Sequence, residues 1–223
     1  MEVRTFRIVL EAEENKKLDF TGHLIRATLL RIIKTMDPEI AKELHSPREK
    51  WGLAPYAIRP LKPANTKKQK ILYYPVEIDI KEDEQYDFEI SIFDEKIVSK
   101  LIEIIPTIIG ETIEIGGAGF RITKLQIEKN RIEKIEIDKK ITIIFQTPTY
   151  FRSKERPGRN ILLPLPELII NSAAKIYYTF FSKQKIDTDT KEIIEKLKQN
   201  AKRYIKIIKH TLRTVKPINI GKN

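Results

Sequence analysis

The chain has 223 residues, 41% of them hydrophobic and 33% charged, a balance that fits a soluble globular protein and excludes a disordered one. Its longest apolar run, "LIEIIPTII" at 101–109, is too short for a membrane span, and the N-terminus lacks a signal-peptide layout, so a cytoplasmic location is expected. The absence of cysteine removes disulfides, zinc knuckles, thiol catalysis and iron–sulfur clusters, and the formal net charge of +11 is unevenly spread.

Residues 1–133 hold 22 Lys/Arg against 23 Asp/Glu, whereas residues 134–223 hold 20 against 8. The excess positive charge thus lies in the last two-fifths of the chain. A local field of that kind points to a polyanion, with nucleic acid ahead of acidic lipid because no apolar face accompanies the charges. With 39 Ile and only 14 Asn plus Gln, the composition fits a thermophile or an AT-rich genome.

In chain order, "VRTFRIVLEAE" alternates apolar and polar residues and predicts a strand. Residues 21–36 place Ile25, Leu29, Ile32, Ile33 and Met36 on one helical face, with Thr21 as N-cap. Asp37-Pro38 then predicts a second short helix over 38–45, turning Ile40, Ala41 and Leu44 inward and stopping at Ser46-Pro47. Residues 70–80 and 86–93 read as strands joined by an acidic turn. Residues 94–105 read as an amphipathic helix capped by Asp94, and 110–128 as a short strand, a glycine turn and a long strand. This βαββαβ order predicts an α+β fold of ferredoxin-like type, with helices on one face of an antiparallel sheet.

A strand at 140–151 starts the pattern again. Helices over 164–182 and 190–203 follow, then a strand-like stretch at 204–216. The expected organisation is two ferredoxin-like units in tandem, 1–133 and 134–223. The second is basic and incomplete, lacking its closing strand–helix–strand. Its open edges call for the first domain or a partner to cover them, and a homodimer is one such arrangement.

No Walker loop, HExxH or GxSxG is present, and three histidines across the chain form no metal-ligand spacing. "GGAG" at 116–119 lies between strands and reads as a hairpin turn. "FRSKERPGR" sets Arg152, Lys154, Arg156 and Arg159 in a turn-rich stretch after Tyr150 and Phe151. The cations suit phosphates and the aromatics suit bases, though the stretch reads equally as a solvated loop. Lys206, Lys209, Arg213 and Lys216 add a basic stripe that tips the balance towards RNA or DNA.

His45 ends the second helix, where peptide dipoles favour a cationic imidazole, and that alone would account for it. A functional reading comes from Arg48 and Lys50 in the loop that follows. One imidazole and two cations suit metal-free RNA cleavage, the first moving a proton and the others neutralising phosphate charge. His23, near the start of the first helix, and His210, in the last stretch, receive no catalytic role.

On these residues the chain resembles the CRISPR-associated endoribonucleases that process precursor CRISPR RNA, in the RAMP superfamily of paired ferredoxin-like domains. The similarity runs through "FTGHLIRATLLRII", "DPEIAKELH", "GETIEIGGAGFRITKLQI" and "IIFQTPTYFRSK". It implies that His45 is the catalytic histidine, that Lys50 is the catalytic lysine with Arg48 as alternate, and that no metal or cofactor takes part. The implied products are a 2′,3′-cyclic phosphate and a 5′-hydroxyl. The implied partners are CRISPR repeat RNA and an interference complex.

Two features depart from the family pattern. Its first-helix tyrosine is absent, the nearest positions being Leu30 and Arg31. Its glycine-rich C-terminal loop is also missing, which implies a truncation of roughly 50 residues if the missing elements have ordinary lengths, or a natural short form. The alternative class is a non-catalytic RNA-binding RAMP subunit.

Overall fold

A computed structural model of the chain describes residues 2–45, 53–64, 77–131, 142–145, 151–152, 160–161, 163–182 and 187–208. They fall into two compact units, one holding the described residues up to 145 and the other those from 151 to 208.

The first unit is built on strand β1 (Glu2–Ala12). Its even-numbered residues Phe6, Ile8, Leu10 and Ala12 are fully buried in the core, as the period-2 alternation requires. Next come β2 (Lys16–Leu18), α1 (Gly22–Met36), α2 (Pro38–His45), β3 (Tyr56–Pro63), β4 (Ile78–Ile80) and β5 (Gln85–Ile92). Helix α3 (Glu95–Ile104), a 3₁₀ turn over Ile105–Ile108, β6 (Thr112–Ile115) and β7 (Ala118–Arg131) complete the unit. The main sheet has the order β3-β5-β1-β7-β6, and every pairing in it is antiparallel. Removing the β6 edge leaves the ferredoxin-like arrangement, with β1 and β5 in the middle. The α+β, ferredoxin-like fold class is therefore the observed one.

The second strand of that arrangement is not the expected one. β3, at 56–63, pairs with β5, whereas the strand expected at 70–80 is represented by Ile78–Ile80, which pairs with β2 in a separate two-stranded sheet. β3 reads "YAIRPLKP". Pro60 falls where the β3–β5 register shifts between Arg59 and Lys62. Proline cannot donate to a ladder, so it is tolerated at such an irregularity on an edge strand, and it also spoils the sequence alternation.

The helix boundaries follow local chemistry. In α1, Ile25, Leu29 and Ile33 are buried, but Met36 is 41% exposed. Thr21 occupies the N-cap position without capping: its hydroxyl instead accepts from the Leu61 amide at 2.9 Å and so fastens β3 to the start of α1. Asp37 Oδ1 accepts from the amides of Glu39 and Ile40 at 3.1 and 3.0 Å, with Pro38 as the first helical residue of α2. Asp94 caps α3 by accepting from the Ile97 amide at 3.0 Å. Gly116 and Gly117 turn the β6–β7 hairpin at φ of 62° and 78°, and a Cβ on Gly116 would lie 2.8 Å from Leu24 Cδ1. The "GGAG" stretch is thus a hairpin turn.

The opposite side of the sheet carries a charged cluster. Asp87 on β5 is 0% exposed and pairs with Arg7 of β1, while Lys62 of β3 lies 3.5 Å from its other oxygen. Glu89, two residues along, takes Arg59 at 2.5 Å and Lys62 at 3.7 Å. The Asp87 carboxylate raises the Arg7 pKa above its ordinary value by hydrogen bonding.

The second unit contains the two-residue ladder β8 (Phe151–Arg152) with β9 (Asn160–Ile161), helix α4 (Pro166–Ile176), a π-helical turn over Tyr177–Phe181, and α5 (Thr188–Tyr204). Asp187 caps α5 by accepting from the Thr190 amide and hydroxyl at 2.8 and 2.9 Å, bonds that lower its pKa. Two expected strands differ here. Of the one expected at 140–151, residues 142–145 join no ladder, Phe151 lies in β8, and 140–141 and 146–150 lie outside the described residues. Tyr204 is still helical, because the Ile205 amide reaches the Ala201 carbonyl at 3.0 Å. Residues 205–208 join no ladder, and 209–216 lie outside the described residues.

Replacing Asp87 by Ala would leave the Arg7 and Lys62 cations facing each other on a partly dry sheet, at an expected cost of about 3 kcal/mol. Urea denaturation of Asp87→Ala checks this, and a loss below about 0.5 kcal/mol would rule the cluster out as a structural element.

Candidate functional site

His45 is the last residue of α2 and its side chain is exposed. The helix that carries it is held from below. Leu44 is 1% exposed, and Ile40 and Ala41 are buried beside it in the same core as α1. Glu43 pairs with Lys96, in the first turn of α3, at 2.9 Å. Backbone and sheet bonds then close the corner: the Phe93 amide donates to the Pro55 carbonyl at 2.9 Å, and Tyr56 is in register with Ile92. The end of α2, the beginning of β3 and the beginning of α3 therefore meet at one corner of the sheet. That corner presents the His45 imidazole and the Glu43–Lys96 ion pair on well-anchored backbone.

Tyr56 is the residue that sequence reasoning missed here. Its ring packs against the core, and its hydroxyl accepts from Arg26 Nε on α1 at 2.8 Å. It opens the strand whose prolines hid it, and only the strand pairing places it. On α1 itself, Leu30 packs against the core, and Arg31 makes a long 3.4 Å contact with the Glu114 carbonyl of β6. Arg26 and Arg31 thus leave the helix towards opposite edges of the sheet, and the family's first-helix tyrosine has no counterpart at positions 30 and 31. Half-buried His23 has a buried Nδ1 with no hydrogen-bond partner among the described residues.

Arg48 and Lys50 lie outside the described residues, as do Lys154, Arg156, Arg159, Lys209, His210 and Arg213. Arg152 lies in β8, in register with Asn160 of β9. Lys206 is exposed two residues beyond α5. Among the described residues no group of His, Asp and Glu could hold a metal ion, and no helix is long and apolar enough to cross a membrane.

The ferredoxin-like sheet and the short helix after α1 thus carry His45 at one corner of the first unit. The sequence pattern of the CRISPR Cas6 N-terminal domain matches residues 13–136, more than half of the chain, and the chain belongs to that family. Among solved structures, a Cas6 product complex is similar with a TM-score of 0.60 at 15% identity, over 88% of this chain and 72% of that one. An RAMP protein binding different RNA substrates gives 0.51 at 17% identity, over 81% and 71%. The product of a Cas6-related gene from Pyrococcus furiosus gives 0.51 at 18%, over 81% and 70%. At these identities the likeness is one of fold. No curated protein matches the chain.

The geometry separates packing from chemistry at adjacent positions. Leu44→Ala should cost about 2–5 kcal/mol by opening a cavity under the corner, whereas His45→Ala should change stability by less than about 0.5 kcal/mol. Thermal melts of the two variants decide it, and a large loss in His45→Ala would make the imidazole a structural residue.

Proposed function

We propose that the protein is a metal-independent endoribonuclease that cleaves CRISPR repeat RNA to release guide RNAs. The RNA's own 2′-hydroxyl attacks the adjacent phosphorus and the 5′-oxygen leaves. One P–O bond forms and one breaks, giving a 2′,3′-cyclic phosphate and a 5′-hydroxyl. His45 serves as general base at the 2′-hydroxyl or general acid at the leaving oxygen. Lys50, with Arg48 as alternate, neutralises the charge that grows on the phosphate. The N-terminal domain, 1–133, supplies this chemistry. The basic second domain, 134–223, holds the RNA through Arg152, Lys154, Arg156, Arg159, Lys206, Lys209 and Arg213.

The observation that carries the reading is His45 itself: an exposed imidazole on a firmly packed helix end, inside the segment that matches the Cas6 N-terminal domain family. The product complex and RNA-bound relatives support RNA as the substrate class. A second reading, a non-catalytic subunit that holds repeat or guide RNA, is favoured by Leu30 and Arg31, which give α1 no phenol to complete a catalytic group.

Repeat RNA incubated in EDTA should still be cut. A single 2′-deoxy substitution 5′ of the scissile bond should abolish cutting while leaving binding intact. A requirement for a divalent ion, or indifference to the deoxy change, would refute the mechanism. Binding of the unmodified repeat with no single-turnover cleavage would establish the second reading.

A further inference from the structure

The last turn of α5 carries a feature that neither the family match nor the basic residues above account for. Tyr204 is 67% exposed, in a chain whose other described tyrosines bury more of their rings or sit on shorter, less basic segments. The Arg203 guanidinium lies over the Tyr204 ring at 5.2 Å from its centroid. A guanidinium over one face holds the ring in place by cation–π attraction, and an exposure of two-thirds leaves the other face to solvent. Asp187 at the helix start and buried Ile194 and Ala201 along it make α5 a firm support rather than a floating tail.

The charge around the ring sets the partner. From Lys196 to Lys206 the chain has five cations, Lys196, Lys198, Lys202, Arg203 and Lys206, and no carboxylate; Glu195, the last acidic residue of the sequence, pairs with Lys198 at 3.4 Å. An apolar protein partner would find Ile193 and Leu197 on the same helical face, at 39% and 40% exposure, but would have to desolvate these cations. A single-stranded polynucleotide meets both features at once, with phosphates at the lysines and a base on the ring.

We propose that Tyr204 is a stacking platform for one unpaired base of bound RNA, with Arg203 backing the ring and Lys202 and Lys206 holding the flanking phosphates. The proposal rests on the RNA-binding part of the function above and adds a contact to it.

The test uses the full chain and fluorescence anisotropy with single-stranded repeat RNA at two salt concentrations. Tyr204→Ala should weaken binding about ten-fold, the scale of one lost base stack, with an unchanged salt dependence. Tyr204→Phe and Tyr204→Trp should bind within about two-fold of the parent, since every aromatic face stacks. RNA should also quench the emission of the new tryptophan beyond any change seen in the parent, whose single tryptophan is Trp51. Lys206→Gln should weaken binding and flatten the salt dependence by about one phosphate contact. Parent-like binding by Tyr204→Ala, equal losses in the Ala and Phe variants, or an unquenched Trp would each overturn the platform while leaving RNA binding by the parent intact. Failure of the parent to bind repeat RNA would overturn both.

Discussion

Strand β1 is hydrogen-bonded along both edges, to β5 from Arg4 to Glu11 and to β7 from Glu2 to Ala12. That double pairing is the constraint on which the first unit depends. It makes β1 central, so its alternate residues must satisfy two environments: Phe6, Ile8, Leu10 and Ala12 under the helices, and Arg7 opposite buried Asp87 on the other face. It also fixes which end of the sheet each helix leaves from. Because Ile92 of β5 pairs with Tyr56 of β3, the start of α3 and the start of β3 are held at one corner, and Glu43 of α2 reaches Lys96 there. His45 owes its position to this chain of pairings rather than to its own contacts. An exposed side chain on a well-packed helix end is a reasonable way to present a proton-transfer group, because the backbone stays put while the ring is free to meet a substrate.

The parts of this corner that sequence made legible are those governed by local chemistry. Helix α2 begins where Asp37-Pro38 says it should, since capping and proline effects act over a few residues. Asp94 and the Gly116-Gly117 turn were readable for the same reason. β3 was not, because its prolines break the alternation that identifies strands and its identity lies in the partner, β5, some thirty positions away in the register. With β3 unseen, Tyr56 could not be placed beside Arg26. Thr21 shows the same limit: a threonine before a helix reads as a cap, yet its hydroxyl bonds the amide of Leu61, forty residues on. At the C-terminal side, the β-branched character of "YIKII" suggested a strand, but the capped helix α5 takes in Tyr204, the first residue of that stretch.

The two units divide the physical work. The first is close to electrically neutral and owes its order to a large isoleucine-rich core; the second carries the positive charge. Under the proposed function, this separation serves a nuclease that must grip a polyanion and also position one phosphate. The long-range field of the basic unit can concentrate RNA, and its strength falls with salt. Positioning at the histidine then depends on packing, which salt barely alters.

The central claim, that His45 acts on the RNA rather than on the fold, is tested most directly by measuring single-turnover cleavage and RNA affinity side by side for His45→Ala. The account predicts a fall in cleavage rate of about 10²-fold or more, the usual scale for loss of a general acid or base, with affinity changed by less than about three-fold, in keeping with an exposed group that is not a main phosphate anchor. Equal losses in rate and affinity, or a cleavage rate like that of the parent, would contradict it.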